Sequence, residues 1–175
     1  MSEETKEQRW LRLYREACGK PGVLPNHDSP MWAFAALVER EARRSTPVAP
    51  NVLCLVDTSG SIDSALLRRF MTEINRLKRL TTANITVALA DTTVHKVIED
   101  FRPSKDLKVY GRGGTDFAEP LRQMREKKLR HQPEVILYFT DGQTSNWGYS
   151  KIPMFWCLDQ DCSVPYGRKI LMREK

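Results

Sequence analysis

The sequence has no long hydrophobic run. No apolar stretch approaches the roughly 18 residues that a membrane-spanning helix needs. The start, Met1-Ser2-Glu3-Glu4, is acidic and lacks the apolar core of a signal peptide. Together these absences argue against membrane insertion and secretion, and we therefore expect a cytoplasmic protein.

Cysteine and histidine are also scarce, with four and three residues respectively. Cys54 and Cys157 lie in apolar runs, where we expect them to be reduced packing residues. Cys157 and Cys162 are separated by four residues, and no second pair or histidine cluster accompanies them. This spacing does not favour a zinc site.

Charge is less decisive than these absences. The formal net charge is +6, but the lysines and arginines are spread over the polar faces of predicted helices, as is typical of solvated surfaces. Because of this net positive charge alone, binding to nucleic acid stays open.

A length of 175 residues indicates one main domain.

The most informative stretch is Val52–Ser61, an apolar run that ends in an acid, hydroxyls and a glycine. Such a run predicts a strand buried on both faces, and open α/β sheets bind ligands at the carboxyl ends of their strands. Asp57, Ser59 and Ser61 alternate, so their side chains can converge. Their oxygens are hard ligands that suit Mg²⁺ or Mn²⁺. The same residue types also suit a helix N-cap, and this stretch alone does not decide between the two.

The rest of the chain alternates strands and helices. Apolar residues spaced three and four apart over 62–80 predict an amphipathic helix between strands at 52–57 and 84–90, which should therefore be parallel. Further elements are expected as an antiparallel extension over 92–99, a short strand at 107–109, a helix from 117 to about 130, and strands at 135–140, 154–158 and 168–172. The predicted fold class is α/β, with a doubly wound, mostly parallel sheet.

Two helices are predicted ahead of the sheet, over 4–18 and 30–43. We expect residues 1–48 to form an N-terminal helical extension that packs on the core domain, residues 49–175. Trp32 and Phe34 would supply apolar area for that packing. The alternative is that this apolar face binds a partner.

Two more polar clusters follow the first one. The stretch Gly111–Phe117 has three glycines before Thr115 and Asp116, but it lacks the Gly-Lys-Ser/Thr ending of a phosphate-binding P-loop. Asp116 and Glu119 are expected to form a capping box at the start of the next helix. Asp141, in Thr-Asp-Gly, ends another apolar run.

Taken in order, the three clusters resemble the von Willebrand factor A (VWA) domain and its metal-ion-dependent adhesion site (MIDAS). The family motif is Asp-x-Ser-x-Ser, then a Thr, then an Asp in Thr-Asp-Gly. The resemblance implies a Rossmann-like fold in which Asp57, Ser59, Ser61, Thr115 and Asp141 hold Mg²⁺ or Mn²⁺. It also implies a partner protein whose Asp or Glu completes the coordination.

A narrower resemblance covers roughly residues 50–173. Val-Asp-Thr-Ser-Gly-Ser-Ile, Gly-Gly-Thr-Asp-Phe, Tyr-Phe-Thr-Asp-Gly, Phe155-Trp156 and Pro165-Tyr166-Gly167-Arg168 are similar to the VWA-like C-terminal domain of bacterial predicted metallopeptidases. Those proteins resemble partners of MoxR-type AAA ATPases. Their peptidase half carries His-Glu-x-x-His, a motif that this sequence lacks.

The resulting expectation is a metal-dependent protein-interaction module, not an enzyme, with a MoxR-type AAA ATPase as one candidate partner. Two alternatives stay open. One is a Mg²⁺-dependent phosphoester hydrolase, although no general base is tied by sequence to the metal loops. The other is a basic nucleic-acid-associated protein.

Overall fold

The computed structural model describes residues 49–103 and 111–172. The elements in these ranges are β1 (Asn51–Asp57), α1 (Ser64–Leu80), β2 (Asn84–Ala90), β3 (Val94–Ile98), α2 (Ala118–Glu126), β4 (Val135–Thr140), β5 (Met154–Leu158) and β6 (Arg168–Leu171). The expected helices at 4–18 and 30–43, the extension 1–48 that they form, and the strand at 107–109 lie outside the described residues. In the part of the chain that is described, no helix has the length and apolar character needed to cross a bilayer.

The six strands form one sheet in the order β3-β2-β1-β4-β5-β6. Strand β1 is paired in parallel with β2 and β4, while β5 and β6 continue the parallel arrangement and β3 is antiparallel to β2. The chain therefore builds outwards from β1 in one direction and then returns to build in the other. This is the doubly wound, mostly parallel α/β sheet that the sequence predicts, including its antiparallel extension.

Both faces of the sheet are covered by apolar layers. Alternate residues of β1 point to opposite faces, so Cys54 and Val56 join the layer of α1, whereas Leu53 and Leu55 join the layer of α2. The long apolar runs of the central strands follow from this two-sided burial.

Two helix boundaries differ from the expected ones. Helix α1 begins at Ser64, because the carboxylate of Asp63 accepts hydrogen bonds from the backbone nitrogens of Ala65 (2.9 Å) and Leu66 (2.7 Å). Helix α2 ends at Glu126, short of residue 130, as the backbone becomes extended at Lys127. Leu129 is thereby buried in the apolar layer of α2.

A polar loop, not a helix, connects β4 to β5 over residues 141–153. Its Trp147 packs edge-on against Trp156, with ring centroids 4.9 Å apart, and against Phe117 at 5.5 Å. The loop thus closes part of the α2 face and leaves the carboxyl ends of β1 and β4 beside each other at one edge of the sheet.

Candidate functional site

The first and third polar clusters meet through a direct hydrogen bond. Asp57 ends β1 and is 1% exposed, and Thr140 ends the neighbouring strand β4. The hydroxyl of Thr140 donates to Asp57 Oδ2 at 2.6 Å and accepts from the backbone nitrogen of Gly142 at 3.0 Å. Parallel pairing of β1 with β4 therefore joins two segments 83 residues apart.

The residues after β1 turn back over the Asp57 carboxylate. Asp57 Oδ1 accepts a hydrogen bond from the backbone nitrogen of Ser59 at 2.9 Å, and the hydroxyl oxygens of Ser59 and Ser61 lie 3.3 Å apart. The three alternating side chains thus converge as the spacing predicts. The N-cap of α1 is Asp63, so Asp57 and Ser59 do not cap this helix.

The glycine-rich loop before α2 is held against the same edge. The backbone nitrogen of Gly60 donates to the carbonyl oxygen of Gly113 at 3.1 Å, and the hydroxyl of Thr144 donates to the carbonyl oxygen of Thr115 at 3.4 Å. The backbone at Thr115 is thereby placed between the end of β1 and the loop after β4. Asp141, one residue beyond β4, is 4% exposed, and its Oδ1 accepts from the backbone nitrogen of Gln143 at 2.9 Å.

The electrostatics of this edge are unbalanced around Asp57. Burial raises the pKa of Asp57, and the charge of Asp141 raises it further, while hydrogen bonds from Thr140 and Ser59 lower the pKa without cancelling the rise. The ion pairs found among residues 49–103 and 111–172 do not include Asp57 or Asp141. The charge of Asp141 thus reaches Asp57, and neither buried carboxylate is in an ion pair with a cationic side chain of the described residues.

The donor set fits a hard divalent cation. In the described ranges no three His, Cys, Asp or Glu side chains come together as a metal-binding group, so a site at this edge must add hydroxyl and water oxygens to its two carboxylates. Such all-oxygen sets suit Mg²⁺ or Mn²⁺ and not zinc. The structure brings the side chains of Asp57, Ser59 and Ser61 together and places the backbone of Thr115 and the buried Asp141 at the same edge of the sheet.

Two further acids near this edge differ in role. Asp116 Oδ1 accepts from the backbone nitrogens of Ala118 (2.7 Å) and Glu119 (3.3 Å), and Asp116 Oδ2 accepts from Asn146 Nδ2 (3.1 Å). Asp116 therefore caps the first turn of α2, as expected. The Glu119 side chain, expected to complete the capping box, instead pairs with Arg122 at 2.6 Å.

The sequence places Asp91 at the end of the strand next to β1, near the rim of the candidate site, but does not predict its contacts with His95 and the glycine-rich loop. Asp91 follows β2, is 4% exposed, and accepts from His95 Nε2 at 2.7 Å and from the backbone nitrogen of Gly113 at 3.0 Å. Burial acts to raise the pKa of Asp91, but the hydrogen bonds from His95, Gly113 and Thr93 outweigh it, so this pKa lies below its usual value. The only signal in the sequence is an acid at the end of the strand beside β1.

The fold and the polar loops define the class of protein. It is an α/β domain with a doubly wound sheet and polar loops at the ends of β1 and β4. The chain belongs to the VWA-like domain family (DUF2201), which it matches over residues 52–173. It is also similar to an uncharacterized protein of Thermotoga maritima, with 32% identity over 97 residues, which are 54% of this chain and 23% of that protein. The matched part therefore spans about a quarter of the relative's length. No solved structure matches.

Proposed function

We propose that this domain is a divalent-metal-dependent protein-interaction module. Asp57, Ser59, Ser61, Thr115 and Asp141 would hold Mg²⁺ or Mn²⁺ as a MIDAS, and an Asp or Glu of a partner protein would complete the coordination. The observation that carries the proposal is the buried, unbalanced carboxylate pair Asp57 and Asp141 beside converging serine hydroxyls.

The chain's own groups prepare this edge for an ion. Hydrogen bonds from Thr140 and from the backbone of Ser59 fix one oxygen each of the Asp57 carboxylate, which leaves lone pairs on both oxygens for coordination. Ser59 is fully buried and Ser61 is exposed, so one of the two neighbouring hydroxyls lies in the interior and the other belongs to a residue at the surface. When bound, the ion supplies positive charge and an exchangeable coordination position.

This arrangement makes binding conditional on the metal. Asp57 and Asp141 would repel a third carboxylate, whereas a divalent cation neutralises both charges and attracts it. A neutral residue in the partner gains no comparable charge-assisted contact. The candidate partner is a MoxR-type AAA ATPase. This choice of partner rests on the family resemblance described for residues 50–173.

Neither alternative function has a specific observation in its favour. Several cations that suggested nucleic-acid binding are paired with acids on the same surface, for example Arg122 with Glu119 and Glu126. His95 pairs with Asp91 through Nε2 at 2.7 Å, a contact that serves a structural histidine and a catalytic one equally and so does not favour a hydrolase. We therefore do not propose an enzymatic activity.

The first test is thermal unfolding with increasing Mg²⁺ or Mn²⁺ for the wild type and Asp57→Ala. At 100 times its Kd a ligand stabilises the folded state by about 2.7 kcal/mol, which for a domain of this size raises Tm by roughly 5–10 °C. We expect this rise in the wild type and none in Asp57→Ala.

Asp63→Ala is the matched control, since it removes a nearby carboxylate that only caps α1. It should lower the starting Tm and still show the metal-dependent rise. No rise in the wild type, or an equal rise in Asp57→Ala, would contradict the proposed site. Capture of the ATPase with and without chelator, using the same variants, then tests the partner.

A further inference from the structure

Asp91 connects the end of β2 to the glycine-rich loop. Register pairing places Asp57 opposite Ala90, so Asp91 lies one residue beyond that pair at the edge that carries the candidate site. The backbone nitrogen of Thr58 donates to the carbonyl oxygen of Ala90 at 2.8 Å. The ends of β1 and β2 are therefore fixed to each other just below the loop.

The glycines of the loop allow it to lie directly on the Asp91 carboxylate. Gly113 donates its backbone N–H to Asp91 Oδ2 at 3.0 Å. A Cβ would lie 2.8 Å from the same oxygen at Gly113 and 3.2 Å from it at Gly111. Close packing on the carboxylate thus explains glycine at position 113, while at position 111 the nearer contact with Thr58 Oγ1 (2.5 Å) and a φ of +116° also require it.

The other oxygen of Asp91 is fixed from the side of β3. Asp91 Oδ1 accepts from the backbone nitrogen of Thr93 at 3.2 Å and lies 2.7 Å from His95 Nε2. The tight turn between β2 and β3, in which the backbone nitrogen of Asp91 donates to the carbonyl oxygen of Thr93, brings His95 back over the carboxylate. Asp91 is therefore held on one oxygen and holds the loop with the other.

We propose that Asp91, fixed by His95, is a positioning residue for Thr115 and sets the metal affinity of the site through the glycine-rich loop. Gly113, which Asp91 holds, lies two residues before Thr115 and also accepts from Gly60, between the two serine ligands. This inference rests on the proposed function, because it assigns Asp91 a role in the same metal site.

The direct test is Mn²⁺ binding measured by calorimetry at a temperature where every variant is folded. Residues that orient metal ligands typically contribute about ten- to a hundredfold in affinity, and we expect a loss of that size for Asp91→Ala. Asp91→Asn keeps an oxygen that can accept from Gly113 and should lose less. His95→Ala, at an exposed position, should weaken binding in the same direction and by less than Asp91→Ala.

Thr81→Ala is the matched control for loss of a buried polar side chain. The Thr81 hydroxyl also accepts from a backbone nitrogen, that of Ala83 at 3.4 Å, but Thr81 precedes β2 and lies at the opposite end of the sheet. It should lower stability and leave Mn²⁺ affinity unchanged. An equal loss of affinity in Thr81→Ala would reduce the effect of Asp91 to general destabilisation and overturn the inference.

A double-variant comparison separates positioning from mere stability. If Asp91 acts through Thr115, Asp91→Ala combined with Thr115→Ala should bind Mn²⁺ no more than about twofold more weakly than Thr115→Ala alone. Independent, multiplying losses would overturn the inference. Should Asp91→Ala fail to fold, the same comparison is made with His95→Ala.

The backbone amide of Gly113 distinguishes failure of this inference from failure of the proposed function. Without metal, its NMR signal should shift and its hydrogen exchange should accelerate in Asp91→Ala, with Thr115 following. An unchanged Gly113 amide overturns the positioning role whatever the metal result. A wild type that binds no Mn²⁺ overturns both the metal function and the proposed effect on affinity, while a changed amide would still establish that Asp91 orders the loop.

Discussion

Glycine-to-alanine substitutions in the 111–114 loop should have opposite effects at its two ends. Gly111 has a φ of +116°, and a Cβ there would lie 2.5 Å from Thr58 Oγ1 and 3.1 Å from the Thr58 carbonyl oxygen. At Gly114, whose φ is not positive, a Cβ would lie 3.5 Å from Thr92 Cγ2, an ordinary contact. We predict that Gly111→Ala is destabilising and that Gly114→Ala is tolerated.

The size of each effect follows from these contacts. A left-handed backbone costs a residue with a Cβ about 1–2 kcal/mol, and overpacking against atoms that cannot retreat costs about 1–3 kcal/mol. Gly111→Ala should therefore lose roughly 2–5 kcal/mol of unfolding free energy, or roughly 4–20 °C in Tm. Gly114→Ala reduces the freedom of the unfolded chain and should gain about 0.4–1 kcal/mol.

Urea unfolding in chelator, followed by far-ultraviolet circular dichroism, measures both changes without a contribution from metal. The slope with urea should stay constant between variants, so that the midpoint reports stability directly. Equal destabilisation by both substitutions would refute the argument, because it would mean that the loop does not lie on Thr58 as described. A neutral Gly111→Ala would refute it as well.

Two further predictions concern titratable groups. Burial raises the pKa of Asp57 above its ordinary 3.8, so the folded state binds this proton more tightly, and the metal-free protein should lose stability as pH rises from about 4 through the raised pKa. Asp57→Asn should remove that loss and be the more stable form at pH 7 in chelator. A pH series of urea midpoints in which the two proteins decline in parallel would contradict this. Burial raises the pKa of each of the three described cysteines, but Cys54 and Cys157 are buried whereas Cys162 is half-exposed. Among these three, iodoacetamide should therefore alkylate Cys162 first and the other two only on unfolding; peptide mass spectrometry locates the label, and equal native rates at Cys54 and Cys162 would disprove the burial.

The strands were predictable because the centre of a parallel sheet excludes water on both faces. That burial requires continuous apolar runs, and those at 52–57, 84–90, 135–140 and 154–158 agree with the observed strands to within a residue. The end of α2 was less predictable. Residues 127–130 have helix-forming side chains, and the chain leaves the helix at Lys127 for a tertiary reason, the burial of Leu129.

The candidate site was predictable where its contacts are local. Asp57 binds the backbone of Ser59 two residues away, and Ser61 follows at the same spacing. The partners supplied by other segments could not be identified in this way. Thr140 reaches Asp57 across 83 residues, and Gly113 reaches Asp91 across 22. The order of strands in the sheet brings these distant segments together, so no local sequence pattern predicts the contacts between them.

The three buried acids of the described chain separate into two kinds by how their charge is compensated. Asp91 has its partner within the fold, since His95 and two backbone N–H groups stabilise its carboxylate and its pKa falls below the usual value. Asp57 has no cationic partner among the described residues, lies near Asp141, and has a raised pKa. An acid that is satisfied internally suits a structural task, such as holding a loop. An acid whose burial is not offset by the chain lowers the stability of the folded state, and binding of a cation there would restore it. On this physical basis we propose the metal at Asp57 and the positioning role at Asp91.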